Sequence, residues 1–162
     1  MTSGTPQTRG PWPVDEYLYF VDRAFAGMLS AVDRLGPERG NTAPPLPGAN
    51  SPYAIVHHCV EVVDYWIGHL LAGRPTARDR DAEFHAIGDP RELRDRVAAQ
   101  LRRVREDLAG VDLAAPPATA PPPEYRGPGR PLSGAGVLLH VLEELAQHHG
   151  QVEISRDLLG AS

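Results

Sequence analysis

Apolar residues recur at helical spacing in four stretches of this chain, and segments rich in proline and glycine stand between them. That alternation limits the possible folds more than any other feature. Side chains four apart on an α-helix lie nearly above one another, so apolar residues at i, i+3 and i+4 make one stripe that must be buried. Proline has no amide donor and breaks a helix interior, so the intervening segments read as connections. No stretch shows the period-two alternation of a half-buried strand. Four stripes without strands predict an all-α chain, a four-helix bundle.

The first helix is expected over about 14–35, with Leu18, Val21, Phe25, Met28, Val32 and Leu35 on its inner side and Gly36-Pro37 as its stop. The second is expected over 52–72, capped by Asn50 or Ser51 with Pro52 in its first turn. Ile55, Val62, Trp66 and Leu70 give its buried side; His58 shares that side, and His57 points about 100° away. After Gly73, the run GRPTARDRDAEFHAIGD reads as a charged surface crossing held down by Phe84 and Ile87. The third helix, 90–109, starts at Asp89 with Pro90 next and Glu92 in capping-box position. Its stripe is Leu93, Val97, Leu101, Val104 and Leu108. The Pro-rich segment 111–131 is a crossover, a stiff spacer or a functional flap. The fourth helix, 133–159, is capped by Ser133 and ended by Gly160. Residues 1–12 read as a flexible N-terminal arm, and 13–160 as a single domain.

Composition removes several function classes. A formal net charge of -5 without a basic face argues against nucleic acid as a partner. Arg94, Arg96, Arg102, Arg103 and Arg105 are interleaved with acidic residues and read as a solvated helix face. No apolar run approaches the roughly 20 residues of a membrane span, and the opening MTSGTPQTRGPWP is no signal peptide. With Cys59 as the single cysteine there is no intrachain disulfide, and a cytoplasmic location is expected. Cys59 reads as a small core hydrophobe; His58 beside it diverges by about 100°, which disfavours a Cys–His dyad.

The chemistry concentrates on the fourth helix. His140, Glu144 and His148 form a polar row beside the apolar stripe of Val141, Leu145, Val152 and Leu159. Unpaired carboxylates at a core edge cost several kcal/mol, and a divalent metal is one partner that removes that penalty. Glu144 and His148 have the i, i+4 spacing that lets two side chains grip one ion, and His58 on the second helix would complete a set of three ligands. Three protein ligands with one open position is the pattern of a catalytic zinc site rather than a structural one. A metal there lowers the pKa of a bound water or thiol. The plainer alternative is a row of satisfied polar groups, and spacing alone leaves both open. His57, His69, His85 and His149 are assigned to surface or core, and Glu143 to the surface. His140 is either a member of the row or a donor behind Glu144 that orients it.

The segments NSPYAIVHHCVEVVDYW, GRPTARDRDAEF and LLHVLEELAQHHGQVEISRDLL resemble the DinB/YfiT-like superfamily, most closely its actinobacterial branch of mycothiol-dependent, maleylpyruvate isomerase-like enzymes. The resemblance spans about Val14 to Leu159. It rests on a helix-two His eight residues before a Trp and on E-x-x-x-H-H-G-Q near the end. It implies a bundle of the DinB/YfiT type that holds a metal, usually zinc or nickel, on His58, Glu144 and His148. Many members have His where Glu144 stands; the isomerase uses Glu. The activity implied is transfer of a low-molecular-weight thiol such as mycothiol to a small electrophile, or thiol-dependent isomerisation. A metal-dependent hydrolase on the same site and a non-enzymatic binding or stress-response bundle are the alternatives. The isomerase's additional C-terminal domain is expected to be missing here. A homodimer is compatible with the resemblance and has no separate signal in the chain.

Overall fold

The structure is a computed structural model and describes residues 12–122 and 127–160. The expected arm falls almost wholly outside the described residues. Trp12, its last residue, stacks edge-on against Tyr17 with ring centroids 6.1 Å apart. The described residues are helical and contain no strand: α1 Val14–Gly40, α2 Pro52–Val63 continuing as Asp64–Leu71, α3 Arg80–Glu83, α4 Pro90–Leu108 and α5 Gly134–Leu158. α1, α2, α4 and α5 are the four predicted helices. α1 packs most extensively on α5, and α2 packs on α1, α4 and α5. Every anticipated inner residue of α1, from Leu18 to Leu35, is buried.

The start signals act as the sequence implies. The Ser51 hydroxyl accepts a hydrogen bond from the Ala54 amide at 3.2 Å, so Ser51 rather than Asn50 caps α2. The Asp89 carboxylate accepts from the Arg91 amide at 2.8 Å, and Ser133 from the Gly136 amide at 3.2 Å.

Five expectations need correction. Gly36 does break α1, with φ 71°, but Pro37 begins a further turn and the element ends only at Gly40. Proline tolerates a first helical turn, where its missing donor has no partner to lose. The second half of helix two is not an α-helix: over Asp64–Leu71 the ladder widens to i→i+5, as in the Ala72 amide to Ile67 carbonyl bond of 2.9 Å. Such widening is rare and frequent near functional sites. Here Gly68, lacking a Cβ, leaves room for the Arg74 guanidinium, which ion-pairs with Asp64 at 2.6 Å and Asp107 at 2.9 Å. The segment after Gly73 is not a simple surface crossing, because it forms α3 and buries two charges, described below. Within it, Ile87 does not hold the segment down, being 76 % exposed; Phe84 does, by packing on His58. Leu159, the last residue of the predicted stripe, is only half-buried beyond the end of α5, whereas Val141, Leu145 and Val152 are fully enclosed.

Candidate metal centre

α2 and α5 are packed together in the bundle, and that contact brings remote parts of the chain to one place. His58 comes from the middle of α2; Glu144 and His148 come from successive turns of α5. One ligand atom from each, an imidazole nitrogen or a carboxylate oxygen, lies within 4.8 Å of the others. The His58 and His148 rings stand nearly perpendicular with centroids 4.9 Å apart, and His148 Nε2 is 3.7 Å from Glu144 Oε2. Two ligands each about 2.1 Å from a tetrahedral ion stand roughly 3.4 Å apart, so this last spacing is near that of a bound state. His58 is 3 % exposed, while the other two are half-buried and leave an approach from solvent.

Hydrogen bonds behind the trio set which nitrogen is free. His58 Nδ1–H donates to Glu83 Oε2 at 2.6 Å, and His148 Nδ1–H donates to Gln151 Oε1 at 3.0 Å. In both rings this leaves Nε2 with its lone pair for another partner. Arg78 holds Glu83 in turn, through Nε to Oε1 at 2.6 Å and Nη2 to Oε2 at 3.0 Å. The Arg78 and Glu83 side chains are only 4 % and 3 % exposed. Phe84 stacks on the other side of His58, with centroids 4.5 Å apart.

The charges are those a cation site needs. Burial pushes the His58 imidazole below its usual range, outweighing the Glu83 hydrogen bond that pulls it up, so His58 stays neutral. The neighbouring His148 imidazole lowers the Glu144 carboxyl against the opposing effect of burial, so Glu144 stays ionised. Burial alone would raise Glu83, but its bonds to His58 and Arg78 win and hold it below the ordinary carboxylate value. Metal ligands must be deprotonated, and His58 and Glu144 meet that condition through their surroundings.

Beside the trio is a small cavity of about 20 Å³, lined by His58, His140, Glu144, Trp66, Arg78 and Arg80. That is room for about one water-sized group. His140 packs on Trp66 with centroids 4.5 Å apart, and its buried Nδ1 has no hydrogen-bond partner. No hydrogen bond joins His140 to Glu144; Glu143 Oε2 stands 3.6 Å from His140 Nδ1, too long for one. Trp66 also borders a larger apolar cavity of about 180 Å³ under the Pro-rich segment, with Val137, Leu132 and Pro117.

The bland assignments of other residues fit their positions. Cys59 is fully buried against Met28, and burial pushes its thiol far up, out of reactive range. His69 Nδ1–H donates to the Arg74 carbonyl at 2.6 Å, and His85 is exposed. Sequence reasoning missed Glu83 and Arg78, the pair that orients His58. They lie 25 and 20 positions away in a charged loop, and no spacing rule links a loop carboxylate to a helix histidine.

A DinB superfamily model matches residues 21–152, and the chain belongs to that superfamily. A crystal structure of a conserved protein from Enterococcus faecalis is similar in fold, with a TM-score of 0.67 at 15 % identity, covering 93 % of this chain and 98 % of that one. No curated protein matches the chain. No helix among the described residues is long and apolar enough to cross a membrane.

Proposed function

We propose that His58, Glu144 and His148 hold a divalent metal, zinc or nickel, in a thiol transferase-like enzyme. Its thiol would be mycothiol or a similar small thiol, and its second substrate a small electrophile. The observation that carries this reading is the pairing of convergence with orientation: three ligand atoms within 4.8 Å, and both imidazoles tied at Nδ1 so that Nε2 is free. A purely structural polar row has no need of two such free nitrogens beside an ionised carboxylate. The donor set of two nitrogens and one oxygen suits zinc or nickel, and leaves a coordination position open. Bound there, the ion would supply the Lewis acidity that makes a thiol ionise near neutral pH.

The chain's own groups do the rest. Glu83 and Arg78 keep the His58 ring fixed. His140 lines the cavity, and its imidazole can take the proton that the thiol sheds. The sulfur lone pair then forms the new bond to the electrophilic carbon, and the displaced electron pair leaves with the electrophile's departing or polarised atom. The apolar space beyond Trp66 suits the body of such a molecule.

Metal analysis of the purified protein, with and without His58→Ala, tests the assignment. About one ion per chain in wild type and loss of at least tenfold in affinity in the variant are expected. A wild-type protein without metal, whose thiol-conjugating activity is indifferent to His58→Ala, would remove the proposal. The one-water cavity also suits a hydrolase, in which water replaces the thiol. Turnover undiminished after all thiol is removed would favour that second reading.

A further inference from the structure

The segment between α2 and α4 brings two arginines to the cavity beside the trio, and they differ in one respect. Arg78 is paired with Glu83 through two hydrogen bonds. Arg80, half-buried in the same cavity wall, has no hydrogen bond or ion pair among the described residues. A partly dehydrated guanidinium without a counter-charge is unfavourable until an anion fills the place. The charge balance points the same way. Arg78 and Glu83 cancel, Glu144 offsets only part of a divalent ion's charge, and Arg80 is left over, so the loaded cavity is cationic. The buried, unpartnered Nδ1 of His140 adds a further polar group in that wall without a mate. The structure assigns Arg80 the recognition of a carboxylate on the small molecule bound beside His58, Glu144 and His148. The ligand class is thus a short carboxylate-bearing thiol, one of the small thiols other than mycothiol, its sulfur at the trio and its carboxylate on the Arg80 fork. Arginine suits this role because its planar fork matches a carboxylate in two hydrogen bonds.

This inference rests on the metal reading above, and its test separates the two. Cobalt-substituted protein is titrated with thioglycolate and with 2-mercaptoethanol, which differ in a carboxylate against a hydroxymethyl group. The cobalt–thiolate absorption band reports binding. Wild type is expected to bind thioglycolate about tenfold more tightly relative to Arg80→Gln, which is the size of one charge-assisted contact. Affinity for 2-mercaptoethanol is expected to be equal in the two proteins. Because both thiols meet both proteins, their intrinsic acidities cancel. Arg80→Lys is expected to keep part of the preference, and Arg91→Gln, on the exposed start of α4, all of it. A thioglycolate preference that is the same in wild type and Arg80→Gln overturns the role of Arg80 while leaving the metal site standing. Failure of both thiols to change the cobalt spectrum of a cobalt-loaded protein overturns the thiol reading and this inference together.

Discussion

Two connections leave the bundle beside the trio, and they are built from opposite materials. The segment between α2 and α4 is rich in charge; the segment between α4 and α5 is rich in proline. The first is fastened at both ends by polar side chains. Arg74 joins it to Asp64 and Asp107, and Asn41 both donates to the Gly88 carbonyl at 2.8 Å and accepts from its amide at 3.0 Å. Between those ends it lowers Arg78, Glu83 and Phe84 onto His58. The second is fastened by backbone bonds, among them the Gly134 amide to Ala115 carbonyl at 2.8 Å and the Ala118 amide to Leu70 carbonyl at 3.1 Å. It contributes apolar surface around Trp66 and, among the described residues, no charge to the trio's cavity. Prolines have no amide to satisfy, so such a segment can lie across a bundle with few hydrogen bonds. A charged segment reaches the interior only with its partners arranged. The difference teaches that in this fold one connection orients the site and the other encloses space next to it.

The comparison fails outright if the charged connection can lose Glu83 without consequence. Glu83→Ala removes the buried carboxylate that Arg78 and His58 Nδ1 both bind. Removing one member of a buried ion pair costs about 3–5 kcal/mol, and removing the acceptor behind a metal-bound histidine weakens binding roughly 10–100-fold. Urea unfolding of the metal-free protein reads the first effect, and competition with a chromogenic chelator reads the second. Glu83→Gln, which keeps an oxygen acceptor for His58, is expected to recover part of both. Unchanged metal affinity in Glu83→Ala would mean that α2 alone positions the ring.

The Pro-rich connection should respond in stability alone. A Cβ on Gly134 would stand 2.9 Å from Leu113 Cα and 3.3 Å from the Asp112 carbonyl oxygen, both backbone atoms that cannot swing aside. Gly134→Ala is therefore expected to destabilise by about 1–3 kcal/mol, the usual range for overpacking, with chelator competition giving the wild-type metal affinity. A parallel drop in metal affinity would show that this segment also holds the site, and the division of labour would be lost.

What the sequence makes legible divides along the same line. The helices could be read because burial has a period: Val21, Met28 and Val32 repeat the α-helical spacing and are each fully buried. His58, Glu144 and His148 could be named because each sits at a fixed phase relative to such a stripe, and the resemblance said which phases meet. Glu83 and Arg78 carry no phase. In the run RDRDAE every residue but Ala82 is charged, and only the folded chain decides that Glu83 turns inward while Asp81 stays exposed. The π-type turns over Asp64–Leu71 were illegible for a similar reason. They accompany a contact between Gly68 and Arg74 that lies across the helix end, and the local apolar pattern is equally compatible with an ordinary α-helix.

The finest test lies within the charged connection itself, where two apolar residues looked alike. By apolarity alone Phe84 and Ile87 are equally suited to anchor it, but Phe84 stacks on His58 at 4.5 Å and Ile87 is 76 % exposed. Half-burial of an aromatic ring is worth on the order of 1 kcal/mol by the area removed from water. Phe84→Ala should lower stability by about that much and loosen the His58 ring, seen as a broader line for its Cε1 proton in NMR spectra of the metal-free protein. Ile87→Ser should change stability by less than about 0.5 kcal/mol, as surface substitutions do, and leave that line untouched. Equal losses from the two variants would mean that apolarity anywhere in the segment holds it down. Unequal losses in the expected order would locate the anchor at the one ring that touches the candidate ligand, and would make the stability of this connection inseparable from the geometry of His58.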